Sequence, residues 1–458
     1  MDRVIKNGTI ITEADSFITD ILIQHGKIAA LGNMDDRLDN AHVIDAHHQL
    51  VMPGAVDVHT HMDLQAGQFH TTDDFFTGTR AALCGGTTSV IEHLAFGPKG
   101  CSLHHQIDAY QQRAASLAVG DYGLHGVIQH VDESVLREMG ELVQEGISSF
   151  KIYLTYNFAL KDDDVLRVMR RANELHAVIA VHCENDALVN YGRRQLVAQG
   201  KTAPYYHAVS RPNECEAEAI SRMLHIAHMA GDAPVYIVHI STAEGVQAIR
   251  EARARGQKHI YAETCPQYLL LTQDCYYQED ALKYVMSPPL RHQSDCHALW
   301  RGLADGTIDV VATDHCPFDY RTDKQAGNGD FTKCPNGAPG IEERVMLLFS
   351  EGVQKGRISL QQFVKLLCST PAKIYGAYPQ KGCLLPGSDA DLMMIDPNVS
   401  SEIRIHALHG AADYTLYEGW KLNGDITTVL SRGDIVYQHH VFTGTPGRGR
   451  FISRHVTT

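Results

Sequence analysis

The sequence predicts an α/β fold: a TIM-like (β/α)8 barrel joined to a small β-sandwich-like module built from both chain ends. Three observations lead there. Eight apolar, strand-like runs alternate with helical stretches between residues 53 and 380. Short strands closed by tight turns fill residues 1–52 and return after residue 380. Metal-capable side chains stand at the carboxyl ends of several of the runs, where barrels of this kind carry their active sites.

The module comes first along the chain. Val4–Ile5 precedes Lys6-Asn7-Gly8, and Asp20–Gln24 precedes His25-Gly26-Lys27. Late in the chain Asp391–Ile395 and Thr427–Ser431 repeat the pattern, the latter followed by Arg432-Gly433-Asp434. Met52-Pro53-Gly54 marks the front boundary, so the expected division is residues 1–52 plus 381–458 for the module and 53–380 for the barrel. The barrel strands are expected at Ala55–His61, Thr87–His93, Tyr122–Ile128, Ser148–Leu154, Val178–His182, Val235–Ile240, His259–Thr264 and Asp309–Thr313. Helices are expected at Asp162–His176, Cys215–Ala230 and Ala243–Arg255, and the Gly-rich segment Gly327–Gly340 reads as a loop after the eighth strand.

A chain of 458 residues is long enough for one large barrel plus a smaller module. Its 44% hydrophobic and 21% charged residues are ordinary for a globular protein. With 40 basic against 54 acidic residues the formal net charge is −14, which argues against nucleic acid or an anionic membrane as partner. The opening residues lack a secretory pattern, and no apolar run approaches the ~20 residues of a membrane span, so a cytoplasmic location is expected. Eleven scattered cysteines without a CxxC pair suggest reduced thiols rather than a disulfide framework.

His59-Thr60-His61 closes the first predicted strand. Residues i and i+2 of a strand share a side, so both imidazoles can reach one metal ion at the barrel mouth. In isolation an HxH carries little weight. Here His182 ends the run Ile179-Ala180-Val181, His239 ends Val235–Val238, and Asp314 follows Asp309–Thr313. Five such side chains at matching strand ends favour a metal site over a set of buried structural histidines. Lys151 is the sixth member. With Phe150 and Ile152 on the other face of its strand, it points into the barrel. A buried ammonium beside two divalent cations is strongly disfavoured. The alternatives are a neutral amine, an anionic carbamate formed with CO2, or pairing with an acidic neighbour such as Glu184 or Asp314.

These residues resemble the dihydropyrimidinase and hydantoinase family of cyclic amidohydrolases. The resemblance spans essentially the whole chain and rests on many ordered segments. They are Pro53–His61, Phe150–Tyr153, Val181–Asn185, Val238–Ser241, Glu263–Leu269, Met286–Arg291, Thr313–Phe318, Pro335-Asn336-Gly337 and Pro339–Glu342. Residues Asp73–Arg80 and Gly126–His130 are most similar to phenylhydantoinase-type members. The resemblance implies two divalent ions, zinc with manganese or cobalt as substitutes. His59, His61, Lys151 and Asp314 would hold one; Lys151, His182 and His239 would hold the other, with Lys151 carboxylated by CO2. A hydroxide between the ions is the implied nucleophile. Asp314 is the implied base turned acid, Tyr156 the implied oxyanion donor, and Ser287 and Asn336 the implied holders of the cyclic imide through backbone groups.

Dihydroorotases of the superfamily place an arginine after the HxH to grip the substrate carboxylate; here the text is Met62-Asp63-Leu64-Gln65. Met62, Leu64 and Phe158 resemble apolar lid residues enclosing a ring substituent, although ordinary loop packing would use the same residue types. The expected activity is therefore opening of 5-substituted, aromatic hydantoins and of dihydropyrimidines to N-carbamoyl amino acids. An allantoinase-like ureide hydrolase is the nearest alternative. A non-enzymatic member resembling the collapsin response mediator proteins is disfavoured because all six ligand positions hold usable side chains. Family members are commonly homotetramers, which the resemblance implies here.

Overall fold

Eight parallel strands pair in chain order in the computed structural model, which describes residues 2–455. They are β1 (Ala55–Thr60), β2 (Thr87–His93), β3 (Asp121–Val127), β4 (Ser149–Tyr153), β5 (Val178–His182), β6 (Val235–Ile237), β7 (Ile260–Thr264) and β8 (Val310–Val311). The last strand meets the first through a parallel bridge of His315 to Thr60 and the His61 N–H bonded to His315 O at 2.8 Å. β1, β2, β3 and β5 are buried along their whole length, as expected of parallel strands covered on both faces.

Each strand lies where the sequence predicts, to within one residue at the amino ends and with larger differences at some carboxyl ends. β8 stops at Val311 because Thr313 turns to bond the Asp57 carboxylate, its hydroxyl donating at 2.7 Å. β6 stops at Ile237 because His239 takes a left-handed backbone, φ 37°. The predicted helices form as Asp162–Glu174, Asn213–Met229 and Ala243–Ala254. Thr242 caps the last of these by accepting from the Gly245 N–H at 3.0 Å. Among the described residues no helix is long and apolar enough to cross a membrane.

Outside the barrel lie two larger sheets, one of them shared by the two chain ends. A four-stranded sheet contains Lys27–Gly32, Asp20–Gln24, Asp2–Lys6 and Ala41–Asp45. A seven-stranded sheet joins Thr9–Ile11 and Leu50–Pro53 from the front to Leu392–Glu402 and Lys421–Ser431 from the back. Ile5, Ile10, Ile21, Val51, Leu392 and Met394 are buried in one apolar cluster there. The outermost positions of the expected module, 1 and 456–458, lie outside the described residues. Past Phe442 the chain returns to the barrel: Tyr122 N–H bonds Arg450 O at 3.0 Å, and Ile452 N–H bonds Tyr122 O at 2.7 Å. Arg454 is buried there against Ser149 Oγ, at 3.0 Å, at the amino-terminal side of β4.

One buried cation joins barrel and module. Lys381 Nζ lies 2.6 Å from Asp121 at the start of β3, 2.9 Å from Asp389 and 2.7 Å from Asp391. Removing one partner of a buried ion cluster leaves the others uncompensated. Lys381→Met is therefore expected to cost about 3–5 kcal/mol in urea unfolding, and a loss below about 1 kcal/mol would contradict this account of the seam.

Candidate active site

The side chains at the carboxyl ends of β1, β5, β7 and β8 converge. Nε2 of His59 and Nε2 of His61 each lie 3.1 Å from the same Asp314 carboxylate oxygen. The three form a cluster whose ligand-type atoms all sit within 4.8 Å of one another. Glu263, at the end of β7, lies 2.7 Å from His59 Nδ1, which points His59 Nε2 toward Asp314. Glu263 also accepts the His239 N–H at 2.9 Å and the Tyr236 hydroxyl at 2.8 Å. It therefore fixes two of the predicted ligands, a role that sequence reading missed although Glu263 occupies the same strand-end position as the ligands.

Burial disfavours a charged imidazole at both β1 positions, and the outcomes diverge. At His59 the Glu263 and Asp314 carboxylates outweigh burial and raise the pKa to about 9. At His61 burial wins and the pKa falls to about 4. Its Nδ1 is buried with no hydrogen-bond partner among the described residues. Burial pushes the Asp314 carboxyl up, but His59 and His61 outweigh it and hold the group well below the usual carboxylate range.

The second cluster faces the first. His182 Nδ1 and His239 Nε2 are 2.9 Å apart, while His182 Nε2 lies 2.8 Å from Glu184. Glu184 is in turn held by Arg211 at 2.5 Å. Lys151 is only 1% exposed. It makes no ion pair within 4.0 Å among the described residues, since Glu184 and Asp314 are committed to other partners. Burial lowers its pKa to about 8 against the pull of Glu263 and Asp314.

Tyr156 sits in the loop after β4 with φ 68°, a costly conformation for a bulky residue. Asp186 pins it, accepting from the Tyr156 N–H and the Thr155 hydroxyl, each at 3.1 Å. Burial raises the Tyr156 phenol; Arg211, Ser287 and Asn336 act in the opposite sense from the same neighbourhood. The loops carrying Ser287 and Asn336 are tied by Lys324, which is fully buried and donates to Val285 O at 2.7 Å and Pro335 O at 2.8 Å. Sequence reading gave no signal for this lysine.

The three expected lid residues differ in burial. Met62 is fully buried, and a Cβ on Gly78 of the helix Phe75–Cys84 would meet its sulfur at 2.7 Å. Met62 thus packs closely against that helix. Leu64 is half-buried against the core. Phe158 is 37% exposed and stacks on Phe96, ring centroids 3.5 Å apart. Phe96 is absent from the sequence expectation.

Fold and site together define a class. Residues 50–436 match the model of the amidohydrolase family, and the chain belongs to that family. Over 454 residues it is 50% identical to a D-phenylhydantoinase of Escherichia coli, covering 99% of this chain and 98% of the relative. It superposes on a crystal structure of D-hydantoinase with TM-score 0.96 and 42% identity, covering 99% of each chain. Against a dihydropyrimidinase from Brevibacillus agri the TM-score is 0.97 at 41% identity, with 100% of both chains covered. The family is metal-dependent, and the chain carries a cluster fit for metal binding.

The opposite shifts at His59 and His61 have a testable consequence in metal-free protein. His59, raised from 6.5 to about 9, stabilises the fold below its unfolded pKa and loses that contribution as pH rises through 9. His61, lowered from 6.5 to about 4, binds no proton where the unfolded chain does, so its effect is to weaken the fold as pH falls from 6.5 toward 4. Histidine-ring NMR of metal-free protein should show His59 protonated and His61 neutral at pH 7. The reverse order would contradict the assigned network.

Proposed function

We propose that this chain hydrolyses the cyclic amide bond of hydantoins, a carbon–nitrogen bond outside any peptide, to give N-carbamoyl amino acids. The preferred substrates in this reading carry an aromatic group at ring position 5, and dihydropyrimidines are accepted as well. The observation that carries it is the set His59, His61, His182, His239 and Asp314 around a buried Lys151 without a counter-ion. That set belongs to a chain 50% identical to a D-phenylhydantoinase.

The donors present fit a pair of divalent ions. Among the described residues His61 Nδ1 lacks a partner, His182 Nδ1 and His239 Nε2 already face each other, and the buried Lys151 makes no ion pair. In this reading His59, His61, Lys151 and Asp314 hold one ion, and Lys151, His182 and His239 the other. Zinc suits such imidazole and carboxylate donors, with manganese or cobalt as substitutes, and Lys151 serves as its CO2 carbamate. Bound there, the ions supply Lewis acidity that lowers the pKa of water toward neutrality and polarises a carbonyl.

The chain's own residues do the rest. Asp314, held ionised by His59 and His61, accepts the proton of the attacking water and passes it to the leaving ring nitrogen. The Tyr156 phenol donates to the oxygen that gains charge at the attacked carbonyl. Backbone groups at Ser287 and Asn336, held in register by Lys324, grip the imide. Met62, Leu64 and Phe158, with Phe96 stacked on Phe158, cover the ring substituent, and Met62-Asp63-Leu64-Gln65 offers no guanidinium for a substrate carboxylate. The proposal extends to a cytoplasmic homotetramer, and to residues 53–380 as catalytic unit with 1–52 and 381–458 as its supporting module.

A ring-opening assay on 5-phenylhydantoin, hydantoin, dihydrouracil, allantoin and dihydroorotate tests the reading. 5-Phenylhydantoin should be opened faster than dihydroorotate, and the reverse order would overturn the substrate class. Phe158→Ala should cost about 1 kcal/mol, roughly fivefold in kcat/KM, on 5-phenylhydantoin and little on hydantoin. Equal losses on both would mean that Phe158 only packs its loop. Elemental analysis of active protein should find about two transition-metal ions per chain. His59→Ala and His182→Ala should each abolish turnover while staying folded; an active His182→Ala would contradict the assigned ligands.

A further inference from the structure

His93 closes β2 and has no part in the function proposed above. It is 1% exposed, and neither of its ring nitrogens has a hydrogen-bond partner among the described residues. The neighbouring strand provides a direct comparison. His125 is the sheet partner of His93 in β3 and equally buried, yet both its nitrogens are engaged: Nδ1 with Ser149 Oγ at 2.8 Å and Nε2 with Val58 O at 3.0 Å. The two rings stack with centroids 4.1 Å apart and planes 16° apart. On its other side His93 meets His59 at 4.4 Å and His61 at 5.5 Å, centroid to centroid.

An imidazole so placed is costly. Each buried polar atom left unsatisfied costs about 1–3 kcal/mol, and an apolar ring of similar shape would avoid that penalty. Buried polar atoms in native proteins nearly always have partners. The ring faces are occupied by other histidines, and the protein supplies neither nitrogen with a partner. What remains is the barrel mouth that His59 and His61 border.

We propose that His93 is a positioning residue of the metal centre: one of its ring nitrogens hydrogen-bonds an oxygen that enters the mouth only when the centre assembles around Lys151. The inference rests on the metal reading given above. That oxygen belongs to the carbamate on Lys151 or to a water held with the ions, and both present the same acceptor chemistry. His93 then acts on the centre through this contact and touches no substrate. Partners of this kind typically change metal affinity 10–100-fold when removed.

The test is zinc affinity, measured by competition with a chromogenic chelator on the full-length chain, for wild type, His93→Phe and His93→Gln. Phenylalanine keeps the stack on His125 and removes both nitrogens; glutamine restores a donor and an acceptor. His93→Phe should bind zinc about 10–100-fold more weakly, with the metal-free protein melting no lower than wild type, and His93→Gln should recover part of the affinity. Should the phenylalanine variant fail to fold, His93→Leu takes its place. Labelled bicarbonate and carbon NMR at saturating zinc separate the two oxygens. Loss of the carbamate signal along with affinity identifies the carbamate, and a full signal with weakened zinc identifies the water. Zinc affinity of His93→Phe or His93→Leu within twofold of wild type overturns the proposal. Failure of wild type itself to hold zinc would instead sink the metal reading on which it rests.

Discussion

The structure turns on one constraint, the charge of Lys151. Its amine lies inside the barrel, ringed by histidines, and has no carboxylate within 4.0 Å among the described residues. Burial brings its pKa from 10.5 to about 8. At pH 7 the amine is then neutral in roughly one molecule in ten, against fewer than about one in a thousand at the ordinary value. A neutral amine is the form that reacts with CO2. The barrel thus raises the reactive fraction of this one lysine, and it commits the two carboxylates that would otherwise hold it as an ammonium. Glu263 is taken by His59, Tyr236 and His239, Asp314 by His59 and His61. On the proposed account both commitments serve the same end: they keep Lys151 available to carry an anion that two divalent ions require.

Positioning around that lysine depends on backbone strain held by side-chain networks. Tyr156, His239 and Asp314 all take positive φ, at 68°, 37° and 54°. Such conformations persist where the surroundings over-determine them. Asp186 holds Tyr156 through its backbone, and Glu263 holds His239 the same way while orienting His59. Both anchors sit at barrel strand ends or at the start of the following helix, so the rigid part of the fold sets the geometry of the mouth.

Much of this was legible in the sequence because barrel strands impose a simple rule. A metal-capable residue that closes an apolar run points to the mouth, and that rule picks out His59, His61, His182, His239 and Asp314, while Lys151, inside its strand, was read from its inward face and the family resemblance. The eight strands were legible for the same reason: parallel strands buried on both faces read as continuous apolar text. What escaped notice depends on contacts between distant positions. Glu263 meets His59 across 204 residues and Lys324 meets Val285 across 39, with no local pattern to announce either. The close fit of Met62 against Gly78, where no side chain stands in its way, is also invisible in the sequence. The return of Arg450–Arg454 to the barrel likewise has no periodicity of its own. The stacked pair His93 and His125 is visible in sequence only as two more histidines; burial and the difference in their partners set them apart.

The central claim is that Lys151 works as an anion shared by two ions, and electron density at Lys151 in a crystal of active, metal-loaded protein tests it most directly. The account predicts density for a carboxylate added to Nζ, lying between two metal peaks bordered by His59, His61 and Asp314 on one side and His182 and His239 on the other. An unmodified Lys151 amine in a fully active, metal-replete crystal would contradict it.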